Sequence, residues 1–232
     1  VLFFSDNGGC AETMREGGWT KFYPDRTRDG TPIVLGNRPD LTPGGPTTFQ
    51  SYDLPWANAS NTPFRLFKHF VHEGGISTPL AVQWPALLAP GGINHTACHA
   101  IDILPTLLDA AGVPPPTQLG GHAVRETDGE SLLPLLRGKR WRRDQALHWE
   151  HEGNAALRDD QLKLVRRYGR DWELYDLEAD RTELRDLAPR NRRLVNRLAR
   201  NYQRWADRTG VIDWAVQEPK VKASWGMTDL KG

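Results

Sequence analysis

Residues 1–9, VLFFSDNGG, carry an apolar run from Val1 to Phe4 directly into Ser5-Asp6-Asn7-Gly8-Gly9. Two readings compete for this junction. Asn-Gly after an apolar strand is a strong short-range signal for a tight hairpin, because glycine accepts the positive φ that such turns need. Asp-Asn at a strand end also aims two oxygen ligands at a hard cation such as calcium or magnesium. Neighbouring side chains on a continuing strand point to opposite faces. Both therefore reach one ion only where the backbone leaves strand geometry, a freedom that Gly8 and Gly9 supply. Spacing alone favours the hairpin, and two ligands leave most of a six-coordinate shell to other groups.

The chain of 232 residues is long enough for one large domain, or one domain with a small appendage. A net charge of +1 argues against a dedicated nucleic-acid or membrane-surface protein. No apolar stretch approaches the roughly 20 residues that span a bilayer. Cys10 and Cys98 make no disulfide framework and have no Cys or His partner at metal-site spacing. Both read as plain small residues, with Cys10 the more exposed. The chain starts without Met and inside a strand, which predicts the carboxy-terminal part of a longer protein.

Residues 37–63, NRPDLTPGGPTTFQSYDLPWANASNTP, form a long irregular segment whose Phe49, Tyr52 and Trp56 favour an ordered loop over disorder. Beyond it, Phe64, Phe67, Phe70 and Val71 are spaced as on a helix, and Leu80 to Trp84 reads as a strand ended by Pro85. HTACHAIDILPTLLDAAGV, residues 95–113, predicts a helix with Ile101, Leu104, Leu107 and Leu108 on one face, with a kink or an early turn at Pro105 and a close at Gly112. This succession of strand, helix and strand predicts an α/β sheet with helices packed on it.

After Pro116 the pattern changes. ALHWE, NAALRDD, QLKLVRR and WELYDL are short, alternating and joined by turn residues, which predicts an antiparallel meander. A last helix is predicted from Asn191 to Arg208, burying Leu194, Leu198, Tyr202 and Trp205. Its Arg193, Arg197, Arg200 and Arg204 read as a solvated face, with phosphate binding the minority reading. From Gln217 onward a tail is predicted, with Trp225 as its one anchor. The resulting boundaries are 1–118 for the α/β part, 119–145 for a connecting segment, 146–216 for an antiparallel subdomain with its helix, and 217–232 for the tail.

The second polar cluster is Lys68-His69-Phe70-Val71-His72-Glu73-Gly74-Gly75. A glycine pair permits close backbone approach, and a lysine just upstream offers a point charge to an anion such as sulfate or phosphate. In isolation the same pattern describes a surface lysine screened by Glu73. His69 and His72 suit proton donors near neutral pH, or hydrogen-bonded structural residues.

SDNGG, NTPFRLFKHFVHEGGISTP, AIDILPTLLDAAGV, DGESLLPLLRG and WELYDLEADRTELRDLA, in that order over nearly the whole chain, closely resemble the carboxy-terminal half of the type I sulfatases, in particular the bacterial arylsulfatase branch of the alkaline phosphatase superfamily. The resemblance reverses the odds at the first junction. It implies an α/β fold: part of an alkaline-phosphatase-like sheet with flanking helices, followed by a small antiparallel sheet and a carboxy-terminal helix. It implies that Asp6 and Asn7 ligate a calcium or magnesium ion and that Lys68, five residues before Glu73, contacts the sulfate as a catalytic and substrate-binding group. His69 and His72 match no catalytic position. Ser77 departs from the arginine that many members carry, so the turn is expected to suit a different substrate.

The family nucleophile is a formylglycine made from Cys or Ser in a Cys/Ser-x-Pro/Ala-x-Arg motif, and neither Cys10-Ala-Glu-Thr-Met nor Cys98-His-Ala-Ile-Asp fits it. The nucleophile, two further metal carboxylates and the remaining Lys and His of the sulfate pocket are therefore expected amino-terminal to this stretch. The implied activity is hydrolysis of a small-molecule or carbohydrate sulfate ester, with the fragment alone inactive. The alternatives are a phosphonate or phosphodiester hydrolase of the same superfamily, or a non-catalytic binding protein derived from a sulfatase. Family resemblance favours a periplasmic or secreted setting. The loop 37–62 and the segment HWEHEGNAALR are the expected pocket rim, with His151 as a substrate-binding candidate.

Overall fold

The computed structural model describes residues 1–14, 23–51 and 53–224; Tyr52 and Trp225 lie outside them. In chain order the elements are β1 (Leu2–Phe4), β2 (Val34–Leu35), β3 (Thr48–Phe49), α1 (Asp53–Asn61), α2 (Glu73–Ile76), β4 (Leu80–Val82), α3 (Ile103–Ala111), β5 (Gln118–Leu119), β6 (His122–Ala123), α4 (Leu133–Leu136), β7 (Leu147–His151), β8 (Asn154–Asp159), β9 (Leu162–Arg166), β10 (Glu173–Asp176), α5 (Arg192–Thr209) and α6 (Trp214–Ser224). The fold is mixed α/β, and the chain divides into two compact units. The first holds Val1–Asp6 and Pro79–Leu147, and the second holds Asn7–Thr78 and the chain from His148 onward.

In the first unit β1 pairs antiparallel with β4, Leu2 opposite Val82 and Phe4 opposite Leu80. The strand after Pro79 thus supplies the partner that a local hairpin would have supplied. The helix predicted over 95–113 is shorter than its pattern. A 3-10 turn, Ala100–Asp102, leads into α3, and Pro105 falls on the third residue of α3. There its missing N–H has no intrahelical partner to lose, so of the two expected outcomes the early turn is found and not the kink. Gly112, at φ 65°, closes the helix with its N–H on Asp109 O.

The apolar face expected to be covered is half exposed, with Leu104 at 54% and Leu107 at 51%, while Asp102 and Thr106 are buried. Polar side chains do the stitching here. Asp102 Oδ1 accepts the Glu130 N–H at 2.9 Å, and Oδ2 accepts the His99 N–H at 2.7 Å and the Arg143 guanidinium. Thr106 Oγ1 donates to Asp102 O and accepts the Leu132 N–H at 2.9 Å. A Cβ on Gly129 would come within 2.0 Å of Ile101 O, so the Asp-Gly pair at 128–129 lets this segment close on the α3 start.

In the second unit the meander is present, with strands in the order β10-β9-β8-β7. β9 pairs antiparallel with both neighbours, Leu164 lying opposite Leu157 and Leu174. The core gathers Val71, Ala156, Val165, Tyr175 and Leu177, with Ile76 and Trp149 packed against it. Leu198, Tyr202 and Ala206 recur at spacing four and are buried as α5 packs on β8 and β9, while the four arginines of the opposite face stay exposed. Burial pushes the Tyr202 hydroxyl up to about 12.

Two expectations are corrected here. Phe64 to Val71 is not helical: Leu66 and His69 take φ of 65° and 84°, and the chain turns its carbonyls toward the glycines of α2. A Cβ on Gly74 would lie 2.2 Å from Leu66 O, and one on Gly75 1.8 Å from Phe70 O. Residues 217–224 continue α6 rather than starting a tail. Asp213 Oδ1 accepts the Ala215 N–H at 2.9 Å at the helix start, and Glu218 pairs with Lys222 one turn on, local devices that leave no amphipathic pattern.

Glu173 on β10 receives Arg65 at 2.5 Å and the Tyr175 hydroxyl at 2.5 Å, with His72 Nε2 at 3.4 Å. Burial alone would raise its pKa, but the bonds from His72 and Tyr175 and the charges of His72 and Arg65 outweigh that and hold it at about 2. A carboxylate depressed below its ordinary 4.5 stabilises the fold above that value, and the contribution is lost as pH falls from 4.5 toward 2. The melting temperature of wild type is expected to fall more steeply over this window than that of Glu173→Gln, which starts lower at pH 7. Parallel slopes in calorimetry would remove this ion-pair account.

Candidate functional site

The junction after β1 is not a hairpin. Gly8 donates its N–H to Gly75 O at 2.9 Å, and the Lys68 N–H donates to Gly9 O at 3.0 Å. Gly9 in turn donates to Asn61 Oδ1 at 2.8 Å. A Cβ on Gly8 would sit 1.8 Å from Gly74 O, so glycine is required for this approach. The Gly8-Gly9 backbone is therefore seated on both the Lys68 backbone and the Gly74-Gly75 turn, and two motifs about sixty residues apart become one loop cluster.

Asp6 is exposed at the end of the first unit's opening segment, and Asn7 is half-buried at the start of the second. A carboxylate and an amide oxygen are hard donors of the class that calcium and magnesium take, and the pair would fill two positions of such a shell. Lys68 is half exposed, its Nζ 3.7 Å from Glu12 Oε2. Glu12 also accepts Cys10 Sγ at 3.1 Å and lies 3.0 Å from His69 Nε2. Burial raises its pKa, but these two hydrogen bonds with the Lys68 and His69 charges bring it below the usual carboxylate value. Cys10 is half-buried and its thiol is pushed up by burial, whereas Cys98 is exposed, reversing the expected order.

Glu73 does not screen Lys68. Its Oε1 accepts Lys163 Nζ at 2.8 Å and its Oε2 accepts Arg181 at 3.3 Å. Lys163 also meets Glu183 Oε1 at 2.8 Å, and Glu183 Oε2 accepts the Glu73 N–H at 2.9 Å. Lys163 and Glu183 are fully buried. Burial pushes the Glu73 carboxyl up, but the Lys163 charge and bond and the Arg181 charge bring it below its ordinary value. This ion cluster anchors α2 and hence the turn that carries Lys68. Ser77 Oγ accepts Arg181 at 3.2 Å, so the site lacking an in-line arginine receives one from a remote segment.

His151 is brought to His69, which the sequence reading set aside. His151 Nε2 lies 3.3 Å from His69 Nδ1, and His69 Nδ1 lies 3.0 Å from Glu152 Oε2. Glu12, Lys68, His69, His151 and Glu152 thus form one polar patch. Contacts spanning 57 and 83 residues leave no local signal, and this is why Glu12 and Glu152 escaped the sequence reading and His69 was set aside. His72 is instead fully buried on Glu173, a structural role. The segment 37–62, expected as one irregular loop, instead carries β3 and the helix α1, and Asn37 Nδ2 donates to Ser51 Oγ at 3.0 Å and to Asp53 Oδ2 at 2.7 Å at the start of that helix. It encloses an open cavity of about 550 Å³ lined by residues including Arg38, Gln50, Asp53 and Trp56; Lys68 and His151 are not among its lining residues.

A family model described as N-sulphoglucosamine sulphohydrolase, C-terminal, matches residues 64–206. An uncharacterized sulfatase of Schizosaccharomyces pombe is 31% identical over 91% of this chain and 38% of its own length. A sulfatase of Formosa agariphila is 34% identical over 57% of this chain and 26% of its own. An N-acetylglucosamine-6-O-sulfatase of Bacteroides thetaiotaomicron is 27% identical over 52% of this chain and 23% of its own. Among solved structures, one from work on glycosaminoglycan metabolism by Bacteroides thetaiotaomicron superposes with a TM-score of 0.55 at 20% identity, covering 88% of this chain and 38% of that one. The chain spans less than half the length of these relatives. No helix among the described residues is long and apolar enough to cross a membrane.

Proposed function

The chain belongs to the type I sulfatase family, within its carboxy-terminal region, and from that premise we propose that it forms one side of the active site of a sulfate-ester hydrolase. The observation that supports this most is the seating of Gly8 and Gly9 on Gly75 and on the Lys68 backbone, which joins the two motifs. On this reading Asp6 and Asn7 hold a calcium or magnesium ion, which when bound supplies Lewis acidity toward a sulfate oxygen. Lys68 places its ammonium beside the sulfuryl or leaving oxygen, where negative charge grows in the transition state. Glu12 holds that ammonium until an anion displaces it. On this reading the formylglycine nucleophile and the other metal carboxylates come from outside residues 1–232, and these residues alone are expected not to turn over. The Bacteroides relative makes carbohydrate 6-sulfates the first substrates to try.

The full-length polypeptide, with its nucleophile motif intact, is expected to hydrolyse 4-nitrophenyl sulfate or N-acetylglucosamine-6-sulfate with kcat/KM at least tenfold above that for an aryl phosphodiester. A reversed preference would move the protein to the phosphodiester or phosphonate hydrolases. Inertness toward every substrate would leave the binding-protein reading.

A further inference from the structure

His69, His151 and Glu152 place three ligand atoms within 4.8 Å of one another, all in the second unit. A tetrahedral shell with metal–ligand bonds near 2.05 Å sets its ligand atoms about 3.3 Å apart. His69 Nδ1 stands 3.3 Å from His151 Nε2 and 3.0 Å from Glu152 Oε2. These two separations match those of ligands around a zinc-sized ion, and the third pair lies within 4.8 Å.

The surroundings are those of a built metal site. The other ring nitrogen of His69 lies 3.0 Å from the Glu12 carboxylate, the outer contact that fixes tautomer and ring orientation of a metal-binding histidine. The buried Asn154 amide donates to His69 O and to His151 O, both at 3.0 Å, tying the two ligand-bearing backbones to one group. Its Oδ1 accepts the Tyr168 N–H, so the amide is itself held. His69 and Glu152 both adopt positive φ, at 84° and 53°, and the tight β7–β8 turn at Glu152 turns its carboxylate to the two rings.

We propose that His69 Nδ1, His151 Nε2 and Glu152 Oε2 bind a borderline divalent transition-metal ion, Zn²⁺ by donor class, with Glu12 as outer-shell partner of His69. Two imidazoles and a carboxylate select zinc over calcium or magnesium, which take oxygen ligands. Three protein ligands leave a fourth position open, and half exposure of the cluster turns it to solvent. Glu12 touches both His69 and Lys68, so the cluster adjoins the proposed sulfate site, and an open position on the ion would take an oxygen of a substrate or inhibitor. The metal site itself stands whether or not the sulfatase proposal does.

The test uses full-length protein freed of metal by chelation and titrated calorimetrically with ZnCl₂, with Co²⁺ absorption as a second readout. Wild type is expected to take up one Zn²⁺ that His151→Ala weakens at least 100-fold and His69→Ala abolishes, while Asp6→Ala leaves it in place. Co²⁺ is expected to give the intense visible bands of a tetrahedral N/O site in wild type and to lose them in His151→Ala. His151 is exposed, so thermal melting of His151→Ala is expected to match wild type and to separate lost binding from lost folding. Absence of this Zn²⁺, or binding unchanged in both histidine variants, overturns the proposal.

Discussion

Lys163→Met is expected to cost about 3–5 kcal/mol of folding stability, the typical effect of removing one member of a buried ion pair. The lysine is fully buried on β9 and stands 2.8 Å from carboxylates on two different segments, Glu73 on α2 and Glu183 after β10. Methionine fills a similar volume but takes the lysine charge from both Glu73, which keeps its Arg181 contact, and the fully buried Glu183. Desolvation then acts on both carboxylates with less charge to offset it. Urea denaturation is the measurement, read as a shift in midpoint at unchanged slope. The triple change Lys163→Met, Glu73→Gln, Glu183→Gln removes the charges together and is expected to recover a large part of the loss. A single-variant loss below 1 kcal/mol would mean that the cluster does not anchor α2.

Lys68→Ala, tested in the full-length enzyme, is expected to lower kcat/KM by about 10²–10³, the cost of 2.7–4 kcal/mol associated with removing one positioned transition-state donor. On the proposed mechanism the charge is felt most as the S–O bond breaks, so kcat carries the loss and KM changes little. Lys68→Arg keeps the charge but alters its reach, and partial activity is expected. Stability separates this from the first prediction. Lys68 is half exposed and its pairing with Glu12 is a surface contact at 3.7 Å, so the folding free energy is expected to stay within about 0.5 kcal/mol of wild type. An unchanged kcat/KM would remove Lys68 from the sulfate site.

The two lysines show where sequence reading stops. Lys68 stands beside a glycine pair, and its spacing to Glu73 is carried by adjacent residues, so the motif is visible in the chain. Lys163 sits in QLKLVRR, where alternation alone would place a lysine among solvated positions, and its burial follows from two acids 90 and 20 residues away. Likewise Asp102 looks like an ordinary helix-start residue in AIDILPT. It becomes the fully buried centre of the first unit because Glu130 and Arg143 return to it.

What the sequence by itself determined is local or ordered along the chain: the succession of motifs that identifies the family, the meander with its alternation, the amphipathic α5 and the glycine-closed α3. Period and capping act over a few residues, where neighbouring side chains meet whatever the fold. What only tertiary structure decided is which distant groups share a low-dielectric or close-packed space. It paired β1 with β4 in place of a hairpin, broke the helical spacing of Phe64 to Val71 against the α2 glycines, turned Glu73 inward to Lys163, and set His151 against His69. Each of these contacts replaces a local hydrogen bond or solvation shell with a long-range one. Only the closed chain makes that exchange favourable, because it has already met the entropic cost of bringing the partners together.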